Sequence, residues 1–202
     1  HYSPLGLIEA AMLTLAVWWV WIYTTWATNW LDPDKAPVRL LLFVLMFLGL
    51  MLSIAIPTAF GAGGLLFALT YVVMQVGRSA FTAYVMRHDW PENSLNFTRI
   101  TVWTLLSAVF WLAGAFVEHE ARLALWLIAL GIEYASPALG FVVPGLGRSV
   151  FSDWKVSGEH MAERCALFVI ICLGETILVT GRTVAGMELL AGFTILLLAA
   201  AF

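Results

Sequence analysis

Three ionisable side chains stand where an apolar chain should carry none: Arg78, Glu133 and Glu175. Each lies inside a run of about 20 mostly apolar residues, the length that crosses a bilayer core. Placing such a group at membrane depth costs at least ~2.5–3.5 kcal/mol on insertion scales, so each marks a candidate functional position. At 1.5 Å per residue, Glu175 lies about 22 Å along its helix from His160, and Glu133 about 18 Å from Ala121. Both carboxylates fall in the middle third of the membrane. Arg78 sits closer to the cytoplasmic end, where a guanidinium can snorkel toward water. Two carboxylates and one guanidinium cannot pair one to one. The surplus carboxylate must meet another cation, line a wet cavity, or take up a proton because desolvation disfavours its charged form. The third outcome is the chemistry of a proton-coupled transporter, although an inert, permanently protonated carboxyl would look the same.

The span holding Glu175 is the richest in polar groups. At about 100° per residue, Arg164 and Glu175 fall within roughly 20° of each other, as do Glu175 and Arg182. These three line one narrow stripe, with His160 one turn below Arg164 and Glu163 about 100° off it. A stripe that runs between the two interfaces suits either a polar path between helices or a structural seam. His160 and Glu163 share a helix face, which invites a metal reading, but two ligands do not make a site. His119, between Glu118 and Glu120, offers no more. There is no Ser-His-Asp arrangement, phosphate loop or CxxC pair. Gly61-Ala62-Gly63-Gly64 reads as a turn, because no strand precedes it.

The elements that must position these groups follow from composition. The chain of 202 residues is 62% hydrophobic and 11% charged, against about 25% charged for a soluble domain. A net charge of −3 without a basic run excludes a nucleic-acid surface. The two cysteines, Cys165 and Cys172, are about 10 Å apart on one helix and serve as small apolar side chains. The pattern predicts an all-α, polytopic transmembrane bundle in a single domain, with six complete spans and the start of a seventh. The spans run from Leu5 to Trp30, Val38 to Ile56, Leu65 to Arg87, Leu95 to Val117, Ala121 to Val143 and His160 to Gly181, and the seventh begins near Glu188. His88-Asp89-Trp90-Pro91-Glu92-Asn93 reads as a loop. The chain opens without Met and stops inside an apolar run, as expected of part of a longer polypeptide.

Orientation follows from the basic residues near the span ends. Lys35, Arg39, Arg87, Arg99, Arg148, Lys155 and Arg164 fall on one side, Arg122 and Arg182 on the other. His1 is therefore expected to face outward and the richer side to face the cytoplasm. The longest connection, from Pro144 to about Glu159, is read as a solvated loop.

The first span carries Trp18, Trp19, Trp21, Tyr23, Trp26 and Trp30. Trp26 and Trp30 fit an interfacial belt. The others lie deeper and want partners for their indole N–H groups, with Thr24, Thr25 and Thr28 nearby. Packing bulk is the reading the spacing favours. An aromatic wall for a lipid, pigment or organic substrate is the alternative.

The segment His160-Met161-Ala162-Glu163-Arg164-Cys165-Ala166-Leu167-Phe168-Val169-Ile170-Ile171-Cys172-Leu173-Gly174-Glu175-Thr176-Ile177-Leu178 resembles the H-x-x-E-R-x-x-L-F-x-I-I-x-L-G-E signature of the bacterial low-temperature-requirement protein A family. Further matches lie in Trp18-Trp19-Val20-Trp21-Ile22-Tyr23-Thr24-Thr25-Trp26 and in Tyr71-Val72-Val73-Met74-Gln75-Val76-Gly77-Arg78. The resemblance covers essentially the whole chain. It implies a multi-pass protein of the bacterial inner membrane and names no substrate or reaction. The family's E-L-F-F-D-L-V-F-V segment would lie just before His1 and its later helices beyond Phe202. A carboxylate pair from that first helix could then be part of any complete site.

The leading expectation is a transporter or ion pathway in which Glu175 and Glu133 respond to protons or cations, with Arg78, Arg164 and His160 as pairing or gating partners and Glu163 beside them. The runner-up is an accessory or binding subunit packed against membrane lipids, pigments or other membrane subunits, its charges acting as structural glue. An intramembrane enzyme stands third, because no nucleophile or complete metal set accompanies the candidate acids. No cofactor is expected.

Overall fold

A computed structural model describes residues 3–150 and 158–185. In chain order its helices are α1 (Pro4–Thr28), α2 (Ala36–Ala55), α3 (Gly64–Met86), α4 (Pro91–Ala115), α5 (His119–Ala138) and α6 (Gly158–Ala185). A 3₁₀ turn at Ile56–Thr58 follows α2, and an isolated bridge joins Val143 to Gly147. The described residues are thus all-helical, as the hydropathy predicts. Residues 1–156 form one compact unit and 157–202 another, and each is described by itself. The seventh span expected from Glu188 lies outside the described residues.

The helix limits follow local chemistry. The Ser3 side chain caps α1 by accepting from the Gly6 N–H at 3.1 Å, and Pro4 occupies the first turn, where a missing N–H costs nothing. Asp32-Pro33-Asp34 then turns the chain, with the Asp34 N–H donating to Asp32 Oδ1 at 2.9 Å. Pro57 ends α2, and the glycines that follow reverse the chain into α3. Pro91 starts α4, so Glu92 and Asn93 belong to its first turn and not to the expected loop.

Two expectations about α5 need correction. It ends at Ala138, not Val143, because Pro137 lacks a helical N–H and Gly140 and Phe141 take left-handed φ of 64° and 49°. Phe141 is held there by burial among Trp19, Tyr23, Phe97 and Ile100. The span count also falls. Among the described residues, five helical segments are long and apolar enough to cross a membrane: Pro4–Thr28, Ala36–Thr58, Gly64–Met86, Pro91–Ala115 and Met161–Thr183. The helix α5 falls short of them because it carries Arg122 and Glu133, both buried, while Leu127 and Ile128 keep its outer face apolar.

In the first unit α3 is central, packing against α1, α2 and α4, and α4 packs against α5. The α2 helix buries a narrow seam of Val38, Leu45 and Leu52 and exposes Leu40, Phe43, Phe47, Leu50 and Ile54. That is the apolar face a lipid-bathed helix presents. Two apolar clusters fill the interior. One gathers Met12, Phe67, Tyr71, Trp111, Trp126 and their neighbours, the other Trp19, Tyr23, Val38, Phe97, Ile100 and theirs.

Arginine staples hold the ends. Arg122 donates to the carbonyls of Gly114 (3.1 Å), Ala59 (2.9 Å), Gly61 (2.7 Å), Ala115 (3.4 Å) and Val117 (3.2 Å). These include carbonyls at the end of α4 that no helical N–H reaches, so one side chain closes two connections. At the other end Arg99 donates to Leu146 O at 3.0 Å and to Asn96 Oδ1 at 2.6 Å, tying the connection after α5 to α4.

Candidate functional site

Three helical stripes converge in the first unit. On α3 the buried positions Tyr71, Gln75, Arg78 and Thr82 recur at helical spacing; on α4 they are Thr104, Ser107 and Trp111; on α5 they are Trp126, Ala129, Glu133 and Ser136. The period of 3.6 therefore turns one polar side chain after another toward the same interior point.

At that point lies Glu133, 2% exposed. Its Oε2 accepts from the Tyr71 hydroxyl at 2.6 Å and from Gln75 Nε2 at 3.3 Å. Its Oε1 accepts from Ser107 Oγ at 2.7 Å and from Trp111 Nε1 at 3.0 Å. Four donors from two helices thus surround one carboxylate. Without them, burying the charge would cost several kcal/mol. Gln75 extends the network, because its Oε1 accepts from Arg78 Nη2. The amide dipole lies head to tail between guanidinium and carboxylate. Turned the other way, its NH₂ would face a cation and its oxygen an anion.

Arg78 is 1% exposed and does not snorkel, contrary to the expectation from its position near the helix end. Interior acceptors replace water: Nη1 donates to Thr24 Oγ1 at 3.0 Å and to Val20 O at 3.3 Å. The guanidinium also sits 5.4 Å from the centre of the Tyr23 ring, within cation–π range. Glu133 and Arg78 are thus joined through one amide rather than by direct contact.

Ser107 has a further property. Its Oγ lies 3.0 Å from Thr104 O as well as 2.7 Å from Glu133 Oε1. A hydroxyl has one proton and can give it to only one of these acceptors. Trp111 and the Gln75 amide nitrogen can only donate to the carboxylate, whereas Ser107 can turn to Thr104 and then accept.

A family model described as bacterial low temperature requirement A protein (LtrA) matches residues 1–202. The chain belongs to the LtrA family. It is 49% identical over 174 residues to an uncharacterised protein of Rhizobium meliloti (strain 1021), a match that covers 86% of this chain. The chain spans 42% of that relative's length. No solved structure matches.

In this LtrA chain the structure brings Glu133 and Arg78 together and supplies connecting residues that sequence reasoning did not assign to the site: Tyr71, Gln75, Ser107, Trp111 and Thr24. Their shared signal was present, since Tyr71, Gln75 and Arg78 fall on one face of α3. Glu163, Arg164 and Glu175 stand on α6, in the other compact unit, and His160 belongs to its first turn. Within α6 the spacing keeps Arg164, Glu175 and Arg182 on one stripe.

The deep aromatics of α1 pack. Trp19 stacks on Tyr134 with centroids 4.1 Å apart and meets Tyr23 edge-on at 5.2 Å, and Trp18 stacks on Trp21 at 4.9 Å. The hydroxyls of Thr24 and Thr28 donate to the α1 backbone carbonyls of Val20 and Thr24, at 2.7 Å and 3.0 Å. Among the described residues no group of three His, Cys, Asp or Glu side chains could hold a metal ion.

Proposed function

We propose that this LtrA chain forms part of a proton-responsive ion or solute pathway in a bacterial membrane, with Glu133 as its titrating group. The observation that carries the reading is the placement of Ser107 between Glu133 and Thr104 O. In the ionised state Ser107 donates to the carboxylate. When Glu133 takes a proton, Ser107 turns to Thr104 and accepts from the new carboxylic acid. Both charge states are then hydrogen-bonded, and neither leaves a buried group stranded. An inert structural carboxylate needs only one of them. The relay through Gln75 gives Arg78 the means to respond, because neutralising Glu133 removes the negative end of the field that orients the amide.

On α6, taken by itself, Glu175 is a second polar candidate, with Arg164 and His160 toward one end of its stripe and Glu163 beside them. The exposed apolar face of α2 supports membrane lipids, or other membrane subunits, as its neighbours. The role is transport rather than bond-breaking chemistry. Reconstituted full-length protein is expected to pass protons, alone or with a solute, under an imposed gradient. Glu133→Gln should lower that flux to the level of empty vesicles, and Ser107→Ala should slow it. Equal flux from wild type, Glu133→Gln and protein-free vesicles would remove the proposal.

A further inference from the structure

A second polar feature lies at the opposite end of α1 from Arg78. The N-terminal part of α1 and the turn after α2 enclose an open cleft of about 480 Å³ whose walls include Glu9, Leu13, Ile56, Thr58 and Phe60. Among the described residues that line it, Glu9 is the ionisable one. Its side chain is 19% exposed, and its Oε1 lies 2.6 Å from His119 Nε2. His119 is steadied in turn by the Phe60 carbonyl, 3.4 Å from Nδ1. The Glu9 carboxylate thus stands at the cleft wall, held against the His119 ring.

We infer that this cleft binds a small organic cation, an alkylammonium group, between the Glu9 carboxylate and the Phe60 ring. The sign of the ligand follows from Glu9, the acidic side chain among the described lining residues. Its size follows from the volume, which falls in the range of pockets that hold small molecules. An aromatic face beside an anion is the pairing that recognises ammonium groups. The charge bias of the connections puts this cleft on the outer side of the membrane. An ammonium there could come from a free amine or from an aminophospholipid headgroup.

The inference deepens the pathway reading by naming the class of solute at its mouth, and it rests on that reading only for what happens to the cation after binding. Along α1, Glu9, Met12, Ala16 and Tyr23 share one face, and Tyr23 meets Arg78 toward its far end.

The test uses full-length protein in nanodiscs of phosphatidylglycerol alone, titrated calorimetrically with tetramethylammonium, with ethanolamine and with dihexanoyl phosphatidylethanolamine, against sodium as control. Saturable binding of an ammonium probe is expected, and Glu9→Gln should weaken it by at least about tenfold, a loss of about 1.4 kcal/mol. Phe60→Leu, which keeps the charge, should weaken it less. Preference for the soluble amines identifies a free solute, and preference for the lipid identifies a headgroup; both support the site. No saturable binding, or binding that Glu9→Gln and Phe60→Leu leave unchanged, would overturn it. Flux lost in Glu133→Gln while ammonium binding persists speaks to the pathway alone, so the two ideas fail separately.

Discussion

Glu133 is over-provided with donors for a residue whose task is only to fill space. Tyr71, Gln75, Ser107 and Trp111 all aim at it; were the carboxylate removed, the Tyr71 hydroxyl and the Trp111 indole would lose their acceptor, whereas Ser107 keeps Thr104 O and Gln75 keeps the Tyr71 oxygen. Glu133→Ala is therefore expected to destabilise the first unit by about 3–5 kcal/mol, the cost of breaking a buried charged network from one side. Thermal unfolding of the detergent-solubilised full-length protein would show it. Glu133→Gln, which keeps the shape, should cost clearly less. A Glu133→Ala protein as heat-stable as wild type would mean that the donors find other partners. The depth of Glu133 and Arg78 was legible in the sequence, because hydropathy alone flags a charge in the middle of a span. The partners were not, since a Ser, Gln or Trp in a span is unremarkable until three helices are brought together. The inward turn of Arg78 escaped for a related reason. Snorkelling weighs water as the acceptor, whereas here Thr24 Oγ1 and the Val20 carbonyl, both on another helix, offer a closer one.

At the scale of the helices, close packing explains which small residues matter. A Cβ on Gly114 would stand 2.5 Å from the Trp126 ring, and that ring is buried and fixed by its indole bond to Trp111 O at 2.9 Å. Gly77, on the exposed face of α3, has nothing within 4 Å of the same position. Gly114→Ala should therefore cost about 1–3 kcal/mol through overpacking between α4 and α5. Gly77→Ala should be neutral, or stabilise by up to about 1 kcal/mol through helix propensity. Parallel melting curves would separate them, and equal effects would contradict the tight α4–α5 contact. Helix existence was readable from apolar runs and Pro or Gly punctuation. The end of α5 was misplaced because Phe141 and Val142 prolong the apolar run past Pro137. Only the left-handed backbone at Gly140 and Phe141 marks the true stop.

For the whole molecule, the charge bias makes a directional claim. Once Cys165 and Cys172 are replaced by serine, a single cysteine at Asp34 should react with a membrane-impermeant maleimide only in inside-out vesicles. One at Ala62 should react only in intact cells. The reverse pattern would invert the orientation and move the Glu9 cleft to the cytoplasmic side. The basic residues gave this bias although two of them, Arg99 and Arg122, are buried and bind backbone carbonyls instead of facing water. Their position along the chain still reports the side on which each end lies. The LtrA family membership and the helical bundle fit the same membrane-spanning architecture.

The central claim is that Glu133 gains and loses a proton while it remains buried. Difference infrared spectroscopy of the reconstituted full-length protein across a pH step reads this directly through the carbonyl stretch of a protonated carboxylic acid. The account predicts such a band on acidification, absent in Glu133→Gln and shifted in Ser107→Ala, where the hydrogen bond from the acid is lost. A spectrum in which wild type and Glu133→Gln coincide at every pH would contradict it.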